Sequence, residues 1–225
     1  MRHATVGNGV DMRDVARAGF SAVSEANEKR ALRRYLQEAR DALLWKLEGL
    51  SDYDIRRPMT PTGTNLLGLV KHCAAGECVY FGRVHGRPFP GEGDLDWHEG
   101  GEAELSGHLY ATEAESREQV TDFYRRAWAH SDAVIEELPL DSRVTVAWWP
   151  EGLTQPTLST LLVHMIQETA RHAGHADIIR ESIDGAVGES KGPADAPPEA
   201  DAAGWKRHHD KLEDIARSAG NQPAR

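Results

Sequence analysis

Apolar residues recur every three or four positions in four separate stretches of the chain, with charged residues between them. This period is typical of helices that bury one face. A Ser–x–x–Gln capping box at Ser116 and a Thr at position 157 mark two of the helix starts, and Thr64 or Asn65 can cap another. The pattern therefore predicts helices over about residues 27–50, 65–84, 116–138 and 157–185.

The connections between these stretches differ in length. Residues 51–63 contain two prolines and predict a simple connection, whereas residues 85–115 form a long polar stretch rich in Gly and Pro. A segment of that length suits a crossover along a bundle better than a tight turn. Residues 143–149 alternate briefly and predict a short strand or an extended loop. We therefore expect an all-α four-helix bundle with a long crossover between helices 2 and 3.

The two ends of the chain lie outside this pattern. Residues 1–24 show little periodicity, and we expect an N-terminal extension that is disordered or partly helical. Residues 187–225 begin with a linker rich in Pro, Ala and acidic residues and end in a short helix that could dock through Trp205, Leu212 and Ile215. The expected domains are thus 1–24, the bundle at 25–186, and 187–225.

Composition excludes several classes of partner. The chain has 26 basic and 36 acidic residues and a formal charge of −10, and no basic stripe that could bind a nucleic acid. It has neither an apolar run long enough to span a membrane nor the pattern of a signal peptide, so we expect no membrane association and a cytoplasmic protein. Cys73 and Cys78 are five residues apart on one helix, which predicts two reduced core thiols.

The fourth predicted helix carries titratable groups on one stripe, namely His164, Glu168, His172 and His175. Glu and His four apart commonly form an exposed pair worth a few tenths of a kcal/mol. However, the apolar residues Met165, Ile166 and Ile178 indicate that most sides of this helix are buried, where such groups require a partner or a cation.

The second predicted helix offers a third titratable side chain, because His72 is the only histidine within it. A single histidine in such a place is more often a hydrogen-bonded core residue than a ligand. Together with Glu168 and His172, however, it completes a His, Glu, His set.

Three segments of the sequence match a known pattern: MTPTGTNLLGLVKH (59–72), YFGRV (80–84) and HMIQETARHAGHADI (164–178). In combination they resemble the DinB-like metal-binding four-helix superfamily over roughly residues 28–186. Within it, the chain is similar to the mycothiol-dependent, maleylpyruvate isomerase-like transferase branch, whose triad is one His from helix 2 plus Glu and His four apart on helix 4. The resemblance implies that His72, Glu168 and His172 bind a divalent metal.

The same resemblance implies a metal-dependent enzyme that transfers or isomerises a small electrophile with a low-molecular-weight, mycothiol-type thiol as cosubstrate. It favours zinc, although this ligand set also suits nickel or iron. It is compatible with a homodimer. The isomerase has an additional C-terminal domain that contributes to its substrate site, and here only a linker and a short helix follow the bundle, so its specific substrate is not carried over.

Two interpretations are open for each of the other residues near the predicted triad. His164 and His175 are candidates for catalysis or ligand orientation, or are partners of carboxylates such as Asp177 and Glu181. Trp148 and Trp149 could form an aromatic cover over a bound cofactor, or simply pack. For the whole protein, the alternatives are a non-catalytic, metal-stabilised bundle that binds a small molecule or a partner, and a hydrolase that uses metal-activated water.

Overall fold

The computed structural model describes residues 12–97, 109–190 and 201–220, with side chains from residue 24 onward. It is an all-α protein with no strand in those residues. Its helices are α1 (Met12–Trp45), α2 (Asp52–Arg56), α3 (Leu66–Glu77), α4 (Arg117–Glu137), α5 (Leu158–Asp184) and α6 (Ala202–Gly220). The long helices α1, α3, α4 and α5 form the predicted bundle, in which α1 packs on α5 while α3 contacts α4 and α5.

The capping residues predicted from the sequence begin three of these helices. Asn65 caps α3 and Thr157 caps α5 through their side-chain oxygens. At α4, Ser116 Oγ accepts the Gln119 N–H at 3.1 Å, and Gln119 Oε1 accepts the Ser116 N–H at 2.7 Å. Gly185 ends α5 with a φ of 80°, a conformation that suits glycine at a helix C-terminus.

Several local features differ from the sequence prediction. Helix α1 begins at Met12, well before Asn27, and α2 forms inside the segment expected to be a plain connection. Ser51 caps α2 and Ile55 of this helix is fully buried. Arg56 also donates to the backbone carbonyls of Thr112 and Glu115. The segment 143–149, in contrast, agrees with the prediction: it is an extended loop, joined to the start of α5 by a single bridge between Arg143 and Thr157.

The second predicted helix is not a continuous α-helix. After Glu77 the chain forms a π-helical turn at Cys78–Gly82 and a 3₁₀ turn at Arg83–His85. The Arg83 N–H accordingly donates to the carbonyls of both Cys78 and Val79. Such wide turns inside helices occur frequently at functional sites.

Helix α3 is the centre of the bundle, because nine of its twelve residues are buried. The predicted core thiols are confirmed: Cys73 and Cys78 are both free and buried. Burial raises the pKa of Cys73, and it raises the pKa of Cys78 to about 12. Both sulfurs are therefore protonated at neutral pH.

Charged residues are also buried in this core. Arg40 on α1 forms a bidentate pair with Glu77 on α3, with N–O distances of 2.7 and 2.9 Å, and also contacts Asp132 on α4 at 2.9 Å. Lys71 Nζ lies 2.8 Å from both carboxylate oxygens of Glu115. The first cluster joins α1 to α3 and α4, and the second joins α3 to the end of the crossover.

The internal contacts divide the chain into two units. The first ends at Glu189 and the second begins at Ser190. Within it, α6 carries Trp205, Leu212 and Ile215 at helical spacing. The docking of this helix and the predicted domain boundaries remain predictions. No described helix has the length and apolar character needed to cross a membrane.

Candidate metal centre

His72 on α3 and Glu168 and His172 on α5 meet where the two helices pack. Glu168 Oε1 lies 3.2 Å from His72 Nε2 and 3.0 Å from His172 Nε2. The two imidazole rings stand edge to face, with centroids 4.7 Å apart. Within the described residues, this is the one cluster of His, Cys, Asp or Glu side chains whose donor atoms all lie within 4.8 Å of one another.

The spacing of these donor atoms fits a divalent cation. Bonds of about 2.0–2.1 Å to a tetrahedral zinc place neighbouring ligand atoms about 3.3 Å apart, close to the observed 3.0 and 3.2 Å. The three side chains are 13 to 25% exposed. Two imidazoles and one carboxylate also leave a coordination position open, as in catalytic rather than structural sites.

The protonation states favour metal binding. Burial disfavours the charged form of Glu168, but hydrogen bonds with His72 and His172 outweigh it and hold the pKa of this carboxyl below its ordinary value. Burial lowers the pKa of His172, against the opposing effect of Glu168. At neutral pH the pair is thus a carboxylate and a neutral imidazole, which are the forms that bind a cation.

The two other histidines of the stripe occupy different surroundings. His175 is exposed, and its Nδ1 lies 3.3 Å from His172 Nδ1, so it contacts the ring of a candidate ligand. His164 lies one turn before Glu168 and packs edge to face against Tyr80 and Trp149, with ring centroids 4.7 and 5.0 Å apart. Burial lowers the pKa of His164. No contact joins either histidine to Asp177 or Glu181 among the described hydrogen bonds.

The two neighbouring tryptophans, Trp148 and Trp149, also differ in their surroundings. The Trp149 Nε1–H donates to Tyr80 Oη at 3.3 Å, and its ring packs against His164. Trp148 is 60% exposed, and its ring centroid lies 6.2 Å from that of Tyr80. Trp149 therefore packs, whereas Trp148 presents its ring at the surface.

A groove of about 620 Å³ begins at His72 and follows α3 through the π-helical turn. Its lining includes Gly76, Val79, Tyr80 and Arg83 from this side and Trp148 from the loop after α4. The sequence analysis assigned no function to Val79, Tyr80 or Arg83. Their spacing from His72, through Gly76, in steps of three or four residues is the signal that could have found them.

Comparison with known proteins gives a family and a fold. The family model described as mycothiol-S-transferase matches residues 31–185, which include all three members of the triad. Among solved structures, the "conserved protein of locus from Enterococcus faecalis" is similar, with a TM-score of 0.57 and 14% identity over 70% of this chain and 97% of that one. At that identity the likeness concerns the fold alone, and no curated protein matches the chain. The family model matches well over half of the length of this chain. The all-α, DinB-like chain therefore belongs to the mycothiol-S-transferase family.

Proposed function

We propose that this protein is a metal-dependent transferase that joins a mycothiol-type thiol to a small electrophile, with His72, Glu168 and His172 holding the metal. The observation that carries the proposal is the convergence of these three donors, one of which, His72, also lines a groove. Zinc is the metal we propose, because two imidazoles and a carboxylate with an open position suit it. Nickel and iron share these preferences and are distinguished by metal analysis.

The chain's own cysteines support a small-molecule nucleophile. Cys73 and Cys78 are the only two in the sequence, and both are buried with raised pKa values. A buried, protonated thiol is a poor nucleophile. The sulfur that attacks the electrophile must therefore come from a cosubstrate.

A divalent cation at the triad supplies the positive charge that keeps a cosubstrate thiol in its thiolate form at neutral pH. Glu168 contributes a carboxylate at that pH. His175 acts as a positioning residue: with His172 Nε2 directed at Glu168, the His172 Nδ1–H can donate to His175 Nδ1 across 3.3 Å. This contact fixes the ring orientation and the tautomer of His172.

Metal analysis and a conjugation assay test the proposal together. The purified protein should contain about one divalent ion per chain, and His172→Ala and Glu168→Gln should each lose most of it, because two donors hold a cation far more weakly than three. With mycothiol and 1-chloro-2,4-dinitrobenzene, both variants should lose at least about 100-fold in kcat/KM. His209→Ala, which alters a largely exposed imidazole outside the triad, is the matched control and should keep both properties.

Two results would overturn the proposal. If the wild-type protein binds no divalent ion at stoichiometric level, the metal site is wrong. If it binds the ion but forms no conjugate with any thiol and electrophile pair, the non-catalytic, metal-stabilised bundle is the better interpretation.

A further inference from the structure

We propose that the groove between His72 and Arg83 binds an apolar, planar aromatic electrophile, and that Trp148 is the residue that recognises its ring. This inference rests on the proposed function and adds to it the class of the second substrate.

The groove starts at His72, one of the three candidate metal ligands, and leads away from it. His72, Gly76, Val79 and Arg83 line it in succession, from α3 into the π-helical turn and the residue after it. At roughly 1.5 Å per residue, the five steps from His72 to Glu77 alone span about 7.5 Å. Its volume of about 620 Å³ lies in the range of small-molecule sites. A ligand in this groove therefore has one end beside the nucleophilic sulfur.

The walls favour an apolar ring over a polyol. Ala75, Gly76, Val79 and Val84 contribute no polar side-chain group, and no carboxylate is among the lining residues, while Arg83, Thr145 and Tyr80 bring polar groups to the same groove. Against the four apolar residues, the sugar hydroxyls of a mycothiol-type thiol would lose hydrogen bonds to water. A flat aromatic molecule would instead exchange hydrated apolar surface for contact with these side chains.

The loop that carries Trp148 is held in place without using that side chain. The Val144 N–H donates to the Pro156 carbonyl at 3.2 Å, and the Val146 N–H donates to the Thr154 carbonyl at 2.9 Å. Val146 is fully buried. The loop is thus anchored by its backbone and by Val146, while the neighbouring Trp149 packs against Tyr80 and His164.

Trp148 remains 60% exposed at the wall of the groove. An indole on an anchored loop, directed at a groove and mostly open to solvent, is poised to gain contact area when a ring enters. Tyr80, whose ring tilts at 52° to that of Trp148, provides a second aromatic surface in the same groove.

With 1-chloro-2,4-dinitrobenzene the reaction is an aromatic substitution. The thiolate sulfur of mycothiol donates an electron pair to the ring carbon that carries chlorine, forming the C–S bond. The C–Cl bond breaks and its electron pair leaves with chloride, while the proton of the original thiol passes to the buffer. No oxidant or reductant is required.

The kinetic test compares an aromatic and a small aliphatic electrophile in the metal-loaded, full-length protein. Trp148→Ala should raise the KM for 1-chloro-2,4-dinitrobenzene about tenfold, and leave the KM for mycothiol and the turnover of iodoacetamide within about twofold. Tyr53→Ala, which removes another exposed aromatic side chain, on α2, is the matched control and should change none of them. A rise in the KM for mycothiol with an unchanged KM for the aromatic electrophile would overturn the inference and assign the groove to the thiol.

Filling the groove gives an independent variant. Val79→Trp places a large ring one and a half to two turns from His72 and should abolish turnover of the aromatic electrophile while iodoacetamide still reacts. Val163→Trp places the same ring on an exposed position of α5 outside the groove lining and should have no effect. Equal loss of both electrophiles in Val79→Trp, with metal content retained, would contradict a binding role for the groove.

A binding measurement separates failure of this inference from failure of the proposed function. 2,4-Dinitrotoluene has the same ring without a leaving group, and its binding is followed by calorimetry in the absence of thiol. If no conjugate forms but this ligand binds and Trp148→Ala weakens it about tenfold, the groove assignment stands and the transferase proposal fails. If conjugation occurs but the ligand does not bind, the groove assignment fails alone.

Discussion

Glu115 neutralises a buried ammonium group where the long crossover returns to α3. Besides Lys71 Nζ, its carboxylate accepts the backbone N–H of Asp96 at 2.9 Å and of Thr112 at 2.7 Å. Residues before and after the undescribed part of the crossover, 98–108, are therefore tied to the same charge. Burial alone would raise the pKa of Glu115, but these hydrogen bonds and Lys71 outweigh it and hold the pKa below its ordinary value.

Replacing Glu115 by Gln should destabilise the protein by roughly 3 kcal/mol at pH 7, because Lys71 is left buried without its counter-charge. A lowered folded-state pKa means that this stabilisation is present above the ordinary carboxyl pKa and is lost as the pH falls through the lowered value. The difference from wild type should therefore shrink in acid, below about pH 4. Urea unfolding at a series of pH values measures it.

Glu113→Gln is the control, because Glu113 is exposed two residues earlier in the same segment. Its effect should stay within about 0.5 kcal/mol at every pH. If Glu115→Gln is equally mild at pH 7, the Lys71 pair does not contribute to stability as described.

Among the secondary-structure elements, the sequence predicted those helices that have a capping residue and an apolar period of their own. The caps at Asn65, Ser116 and Thr157 and the apolar period were sufficient to identify α3, α4 and α5. Helix α2 could not be predicted, because five residues of which only Ile55 is buried show no period. The π-helical turn at Cys78–Gly82 likewise has no sequence signature, since it depends on how α3 meets its neighbours.

The same limit appears on α5. Met165 is fully buried as predicted, but Ile178 is 66% exposed, so the helix buries fewer sides than its apolar residues suggested. An isoleucine is apolar wherever it lies, and only packing decides whether it is covered. The three donors of the candidate metal site could nevertheless be proposed from spacing and resemblance. Their meeting within hydrogen-bond distance required the packing of α3 on α5.

Gly68 allows the end of the crossover to approach α3, and this gives an element-scale prediction. A Cβ at this position would lie 1.8 Å from the Leu109 carbonyl oxygen, which is backbone and cannot rotate away. We expect Gly68→Ala to destabilise the protein by about 2 kcal/mol, seen as a lower midpoint in thermal or urea unfolding.

Gly174 on α5 is the matched helical glycine, because a Cβ there would meet no atom within 4 Å. Gly174→Ala should stabilise the protein by about 0.5 to 1 kcal/mol through its higher helix propensity. Opposite signs for the two substitutions are the expected result, and a neutral Gly68→Ala would show that the crossover does not press on α3.

For the whole molecule, the functional features lie in the unit that ends at Glu189. The family match ends at residue 185, and the triad and the groove lie within it. The sequence could indicate the bundle by its apolar period, but it could not predict the groove, since residues far apart in sequence, such as His72 and Trp148, form its walls.

Residues 186–189 follow the family match and still belong to this unit. The Gly188 carbonyl accepts hydrogen bonds from Trp45 Nε1, at 3.0 Å, and from Lys46 Nζ, and the Gly188 N–H donates to Asp177 at 3.1 Å. Lys46 is itself buried and pairs with Asp177 at 2.5 Å. Gly188 thus fastens the segment after α5 onto the end of α1.

A protein truncated after Glu189 should keep one metal ion per chain, a conjugation rate within about twofold, and a thermal midpoint within a few degrees of wild type.

Truncation after Gly185 is the sharper comparison, because it removes Gly188 while preserving the whole family match. The Trp45 indole then loses its acceptor in a region of low exposure, and an unsatisfied buried group costs about 1–3 kcal/mol, whereas Lys46 keeps its pair with Asp177. Its midpoint should therefore fall by about 5 °C or more, while metal content per folded chain is unchanged. Calorimetry and metal analysis of both truncations decide the matter. Loss of metal or activity in the chain that ends at Glu189 would show that the C-terminal unit takes part in the site.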